Sequence, residues 1–129
     1  SVLAKEPCLG VTYNLYSGLY SPVLVLDRPE QFETIQQKLE GLEVLPAAHL
    51  MPMGGFSWTG GDCCGLPYGV SVMQGGVIQV LEGSYGPIKL YADSKALMGY
   101  LLEEVRRQKI LETHDPVKPP ASVCELGHK

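Results

Sequence analysis

Cys63 and Cys64 stand side by side, after Asp62 and before Gly65, and make up half of the four cysteines in this 129-residue chain. As a thiolate, either could be the nucleophile of a small cysteine-dependent hydrolase or transferase. That chemistry needs a base or a cation to lower the thiol pKa. Asp62 would supply an acid or an orienting carboxylate, and the imidazoles available are His49, His114 and His128. The plainer reading makes the two cysteines small residues at a strand entry, one pointing in and one out, because free cysteines are mostly buried filler. Neighbouring cysteines bond each other only at a cost in backbone strain, and bonds from both to Cys8 and Cys124 would draw the two ends of the chain onto one loop. Four free thiols in a cytoplasmic protein are therefore expected. Zinc would have to be held by Cys124 and His128, separated by three residues, together with Cys63 or Cys64. No Cys-x-x-Cys pair supports that arrangement, so neither a metal nor a cofactor is assigned.

The same stretch is rich in aromatic side chains. Residues 53–65 hold the only Trp, Trp58, and one of the two Phe, Phe56. With Tyr68, Tyr85 and the acidic Asp62 they form a candidate surface for recognising a protein, since rigid amphipathic rings give contact area at little entropic cost. Tyr13, Tyr16, Tyr20 and Tyr91 could extend that surface or line a small-molecule pocket; alternatively, they sit at the sheet edge with their hydroxyls in water. The glycines at 54, 55, 60, 61 and 65 do not make a phosphate cradle, because no Gly-Lys-Ser/Thr ending and no tight strand-to-helix turn accompany them.

These residues need a frame. Residues 11–16 and 22–26 alternate as strands and read as a hairpin. Asp27, Pro29 and Glu30 form a helix start, with Asp27 as cap and Glu30 returning the bond; Phe32, Ile35, Leu39 and Leu42 follow at helical spacing, and Gly41 marks the stop. Residues 44–68 show no sustained period and read as one long loop, with room for a short strand near 45–50. Residues 69–73, 77–81 and 88–92 are three strands joined by glycine-bearing turns, too short for crossovers, so they form an antiparallel meander. Asp93 and Ser94 then cap a helix whose stripe is Leu97, Leu101 and Val105, with Glu103 and Arg107 paired on its outer side. The expected architecture is α+β: an antiparallel sheet of about five strands with two helices on one face, in the order β-β-α-loop-β-β-β-α. It occupies residues 1–112 as one domain, and residues 113–129, rich in proline, make an extended C-terminal tail.

Fifteen Gly and ten Pro suit long connections rather than a helical bundle. A net charge of −4 with scattered basic residues disfavours nucleic acid. No apolar run reaches the ~20 residues that cross a bilayer, so no membrane partner is expected. The first residues lack the layout of a signal peptide, so a cytoplasmic location is expected, with a removed leader left open.

Residues 56–105 carry a further pattern: a glycine-rich approach, Gly65-Leu66-Pro67-Tyr68-Gly69-Val70, a turn leading into Gly76-Val77-Ile78, and Leu90-Tyr91-Ala92-Asp93-Ser94 entering a leucine-rich helix. This resembles the C-terminal half of the SMI1/KNR4-like (SUKH) domains, whose bacterial members are largely immunity proteins that bind and neutralise toxins. The resemblance implies a compact α+β binding protein and transfers no individual site. With no catalytic set assembled, the leading expectation is a non-enzymatic immunity or inhibitor module whose 53–68 loop binds a protein partner.

Overall fold

The computed structural model describes residues 7–16, 18–45, 55–73, 77–81, 88–91 and 95–119. Among the described residues its frame is one antiparallel sheet of seven strands in the order β2-β1-β4-β5-β6-β7-β3. Strands β1 (Leu9–Tyr13) and β2 (Val23–Leu26) form the expected hairpin, with Val11 opposite Leu24. Strands β5 (Val70–Val72), β6 (Ile78–Leu81) and β7 (Ile88–Tyr91) form the expected meander. Two short strands join them from the stretch read as a loop. β3 (Val44–Leu45) pairs with β7 at the far edge, and β4 (Phe56–Trp58) sits between β1 and β5. β4 is therefore the seam that joins hairpin to meander. It is short because glycines flank it. At Gly55 an added Cβ would run into the carbonyl of Val72, so the tight approach of β4 to β5 requires glycine.

Alternation separates the two faces of the sheet. Val11, Leu24, Leu26, Phe56, Trp58, Val70, Val72, Ile78 and Val80 are buried in one core with Phe32 and Ile35 of helix α1 (Pro29–Leu39) and Leu97, Leu101 and Val105 of helix α2 (Lys95–Gln108). The stripe expected on α2 is the buried one. On the other face Gly10, Thr12, Ser57, Ser71 and Gln79 are half-buried, and several of them line a shallow depression of about 220 Å³. A single further turn, α3 (Ile110–Thr113), follows Lys109, whose φ of 54° breaks the direction of α2.

Two local expectations are corrected. The N-cap of α1 is Arg28 rather than Asp27, and Gln31 rather than Glu30 returns the bond: its Oε1 accepts from the backbone N–H of both Asp27 and Arg28 at 3.0 Å. Glu30 turns outward to Arg28 instead. On α2, Arg107 does not pair with Glu103. Glu104 is only 7% exposed, and Arg107 folds back onto it, leaving Glu103 to Arg106. Asp93 and Ser94, expected to cap α2, lie outside the described residues.

Candidate functional site

The cysteines expected as free thiols are joined. Cys63 and Cys64 form a disulfide between adjacent residues, with Cα atoms 3.8 Å apart, and no described cysteine is a free thiol. The bond sits in a 3-10 turn, Asp62–Cys64, entered and left by glycines in the left-handed region, Gly61 (φ 99°) and Gly65 (φ 70°). Those two residues take up the reversal of chain direction, so the bond forms within a turn rather than across an extended strand entry. The turn is held by its main chain: Cys64 N–H and Leu66 N–H both donate to the Gly61 carbonyl, at 2.9 and 3.0 Å. From α1, the Gln36 amide donates to the carbonyls of Cys64 (3.2 Å) and Gly65 (3.1 Å). Cys63 is exposed, and Cys64 is buried with the core.

In this disulfide state neither cysteine is the thiolate that the enzyme reading needs. Both sulfurs are spent in a bond, and a catalytic cysteine acts as a thiolate. Of its partners, His49 and the side chain of Asp62 lie outside the described residues, as do Cys124 and His128. His114 belongs to another part of the molecule, where its ring stacks on Tyr16 and its Nε2 contacts the Tyr20 carbonyl. Among the described residues no cluster of His, Cys, Asp or Glu could hold a metal ion.

The expected binding residues are also redistributed. Phe56 is 1% and Trp58 3% exposed, so neither ring can meet a partner. Their alternation with Ser57 on β4 points both into the core. Phe56 stacks on Tyr13 with ring centroids 4.4 Å apart, and the Trp58 indole donates to the Pro67 carbonyl at 3.0 Å. Tyr68 does reach solvent, and Tyr85 lies outside the described residues. Among the described residues, Phe56 and Trp58 are core and Tyr68 is exposed, so these three rings do not form one surface.

What the structure does expose is a different group. Leu15, Tyr16, Leu19 (52% exposed), Tyr20 and Val117 (74%) project from the β1–β2 connection and from the segment after α3. These two pieces are tied together. Tyr20 N–H donates to the Pro116 carbonyl at 2.9 Å, and His114 bridges to both tyrosines. Residues 114–119, the start of the expected tail, thus pack against the hairpin connection, while residues 120–129 lie outside the described residues. Next to this ridge, an open cavity of about 370 Å³ runs along edge strand β2, lined by Val23, Val25, Gln108, His114, Asp115 and Lys118 among others.

Beneath the cavity is a polar cluster. The Glu104 carboxylate accepts from Arg107 (Nη2, 2.6 Å), Gln108 (2.9 Å) and Gln31 (3.2 Å). Burial alone would raise its pKa; the hydrogen bonds from Arg107, Gln108 and Gln31 and the Arg107 charge outweigh that and hold it below the ordinary value. Burial and the Glu104 charge raise the neighbouring Tyr100 hydroxyl. Gln108 also pairs its amide with both backbone groups of Val25, accepting from the N–H at 3.0 Å and donating to the C=O at 2.8 Å. This side chain covers part of the exposed edge of β2. Helical amphipathy is plain in α2, but no sequence pattern marks Glu104 and Gln108 as inward-facing; only their position three and seven residues after Leu101, on the edge of the stripe, points that way.

No family model matches the chain, and comparisons with curated proteins and with solved structures return no match. Among the described residues, no helix is long and apolar enough to cross a membrane.

Proposed function

We propose that this chain is a non-enzymatic protein-binding module of the immunity or inhibitor kind, and that its partner docks on the ridge of Leu15, Tyr16, Leu19, Tyr20 and Val117. The observation that carries this reading is the exposure of five large apolar side chains on two segments pinned to each other by hydrogen bonds. Contiguous exposed apolar groups with tyrosines among them are what recognition surfaces present, and a held backbone lowers the entropy lost on docking. Tyr68 remains as an exposed aromatic of the 53–68 loop and would serve a second contact. The SUKH resemblance supports the immunity class and supplies the bacterial, cytoplasmic setting. The closed Cys63–Cys64 bond pulls against that setting, because cytosolic thiol buffers keep accessible disulfides reduced.

Photo-crosslinking residues placed one at a time at Leu19 and at Tyr68, in cells of the native host, test the assignment. The expected result is one discrete protein adduct from position 19 that disappears when Tyr20 is changed to Asp. Adducts from position 68 alone would return the binding surface to the 53–68 loop.

A further inference from the structure

A disulfide stabilises a protein chiefly by closing a loop of the unfolded chain, and its effect grows with the number of residues enclosed. The bond between Cys63 and Cys64 encloses none. Its value as a staple is therefore minimal, although the surrounding chain is built closely around it. Gly61 and Gly65 adopt the left-handed conformation on either side, and an added Cβ at Gly65 would strike the Gln36 amide. The anchoring hydrogen bonds all fall on main-chain groups of the turn, none on sulfur, so breaking the sulfur–sulfur bond does not itself remove any of them.

We propose that the Cys63–Cys64 disulfide is a two-electron redox site that undergoes thiol–disulfide exchange with a dithiol reductant, and that its state is felt by the loop running back to Trp58. The asymmetry of the pair sets the direction of attack. Cys63 is exposed and Cys64 is 7% exposed, so an incoming thiolate reaches the Cys63 sulfur. A sulfur–sulfur bond forms between the reductant and Cys63 as the Cys63–Cys64 bond breaks, and Cys64 leaves as a thiolate that takes up a proton. The second thiolate of the reductant then attacks the reductant's own sulfur in the mixed disulfide. Cys63 is released and protonated, and the reductant becomes a disulfide. The protein gains two electrons and two protons, and the dithiol loses the same.

Opening the bond changes what the turn can bind. The Cys63 sulfur lies 3.9 Å from the Cys8 carbonyl; in the disulfide it carries no hydrogen, whereas as a thiol it is a donor to that oxygen. The reduced turn thus gains a tie to the chain just before β1. Trp58, the only tryptophan, donates to Pro67 three residues beyond Cys64 and so reports on the same loop. This site is separate from the apolar ridge and stands whether or not a partner docks there.

The test equilibrates the full-length chain in dithiothreitol redox buffers of graded poise, with acid quenching, maleimide mass-tagging and peptide mapping. Trp58 emission and circular dichroism are followed in parallel. The expected result is that Cys63 and Cys64 acquire their tags together, at a poise where the circular dichroism is unchanged. Trp58 emission shifts over the same range and returns on reoxidation. The Cys63→Ser variant, at an exposed position, and the Cys63→Ser/Cys64→Ser double variant both lose the reversible shift. Tagging of the pair only after the fold is lost would overturn the proposal, and so would reduction that leaves Trp58 emission unmoved or a shift that survives in the Cys63→Ser variant.

Discussion

Residues 55–68 and residues 14–21 are both rich in aromatic and large apolar side chains, yet Phe56, Trp58 and Leu66 of the first are buried, with Tyr68 reaching solvent, whereas Leu15, Tyr16, Leu19 and Tyr20 of the second are all exposed. The difference arises from spacing. Phe56 and Trp58 are separated by one residue, so a strand sends both rings to the same face, and the sheet pairs that strand on both sides. Leu15 and Tyr16 are adjacent, as are Leu19 and Tyr20, and no strand can bury both members of such a pair on one face. The chain leaves the sheet just before them: Leu15 N–H donates to the Tyr13 carbonyl at 2.9 Å, a three-residue turn that ends β1. Aromatic content alone does not mark a binding surface; the period in which the rings recur decides whether they form core or surface.

The largest effects should fall on the buried side. Phe56→Ala and Trp58→Ala each remove a large ring from a closed core and are expected to cost about 3–5 kcal/mol in urea unfolding. Tyr16→Ala and Leu19→Ala should stay within about 0.5 kcal/mol, as surface changes do. Equal losses from the two sets would erase the distinction between the regions. Gly55→Ala is expected to cost about 3 kcal/mol, because its Cβ meets the Val72 backbone, which cannot move without parting β4 from β5.

The regular elements were legible because each carries a sustained period: the hairpin, the meander, and the Leu97, Leu101, Val105 stripe of α2. β4 was not legible, since a strand of three residues contains only one alternation, and its pairing with both β1 and β5 is a long-range fact. A bond between Cys63 and Cys64 is costly in strain on an extended backbone, and the left-handed glycines that make the turn show in sequence only as glycines. The ridge was legible only in part: Tyr16 and Tyr20 are among the tyrosines that could extend a recognition surface, but nothing local in residues 113–129, read as an extended tail, brings Val117 against the hairpin connection.

The polar cluster under the cavity lets the ridge side be perturbed without touching residues 55–68. Glu104→Ala removes the acceptor shared by Arg107, Gln108 and Gln31 and is expected to cost about 2–3 kcal/mol, with Glu104→Gln costing less because one carbonyl acceptor remains. The carboxyl also implies a pH dependence. Its pKa in the fold lies below the ordinary 4.5, so its ionised form contributes stability that is complete above that value. As pH falls through 4.5 toward the depressed folded value, that contribution is lost. Melting temperatures followed from neutral pH down through this range should drop more steeply in the native chain than in Glu104→Gln. Parallel curves would show that Glu104 is not the group holding the two helices to the β2 edge.

The smallest effect on stability is expected from Leu19→Asp, and it bears most directly on the comparison. Leu19 is about half exposed, and its backbone neighbour Tyr20 keeps the hydrogen bond to Pro116 whatever side chain stands at 19. Unfolding free energy should therefore change by no more than about 0.5 kcal/mol. Binding is a different matter: a carboxylate at the centre of an apolar contact is buried without a partner, which weakens association by about tenfold or more. A variant that melts like the native chain but loses the adduct formed from a crosslinker at Val117 separates recognition from folding at a single residue. The same substitution leaving adduct formation intact would mean that the exposed apolar side chains of residues 14–21 are spare surface, and that exposure distinguishes the two connections without distinguishing their roles.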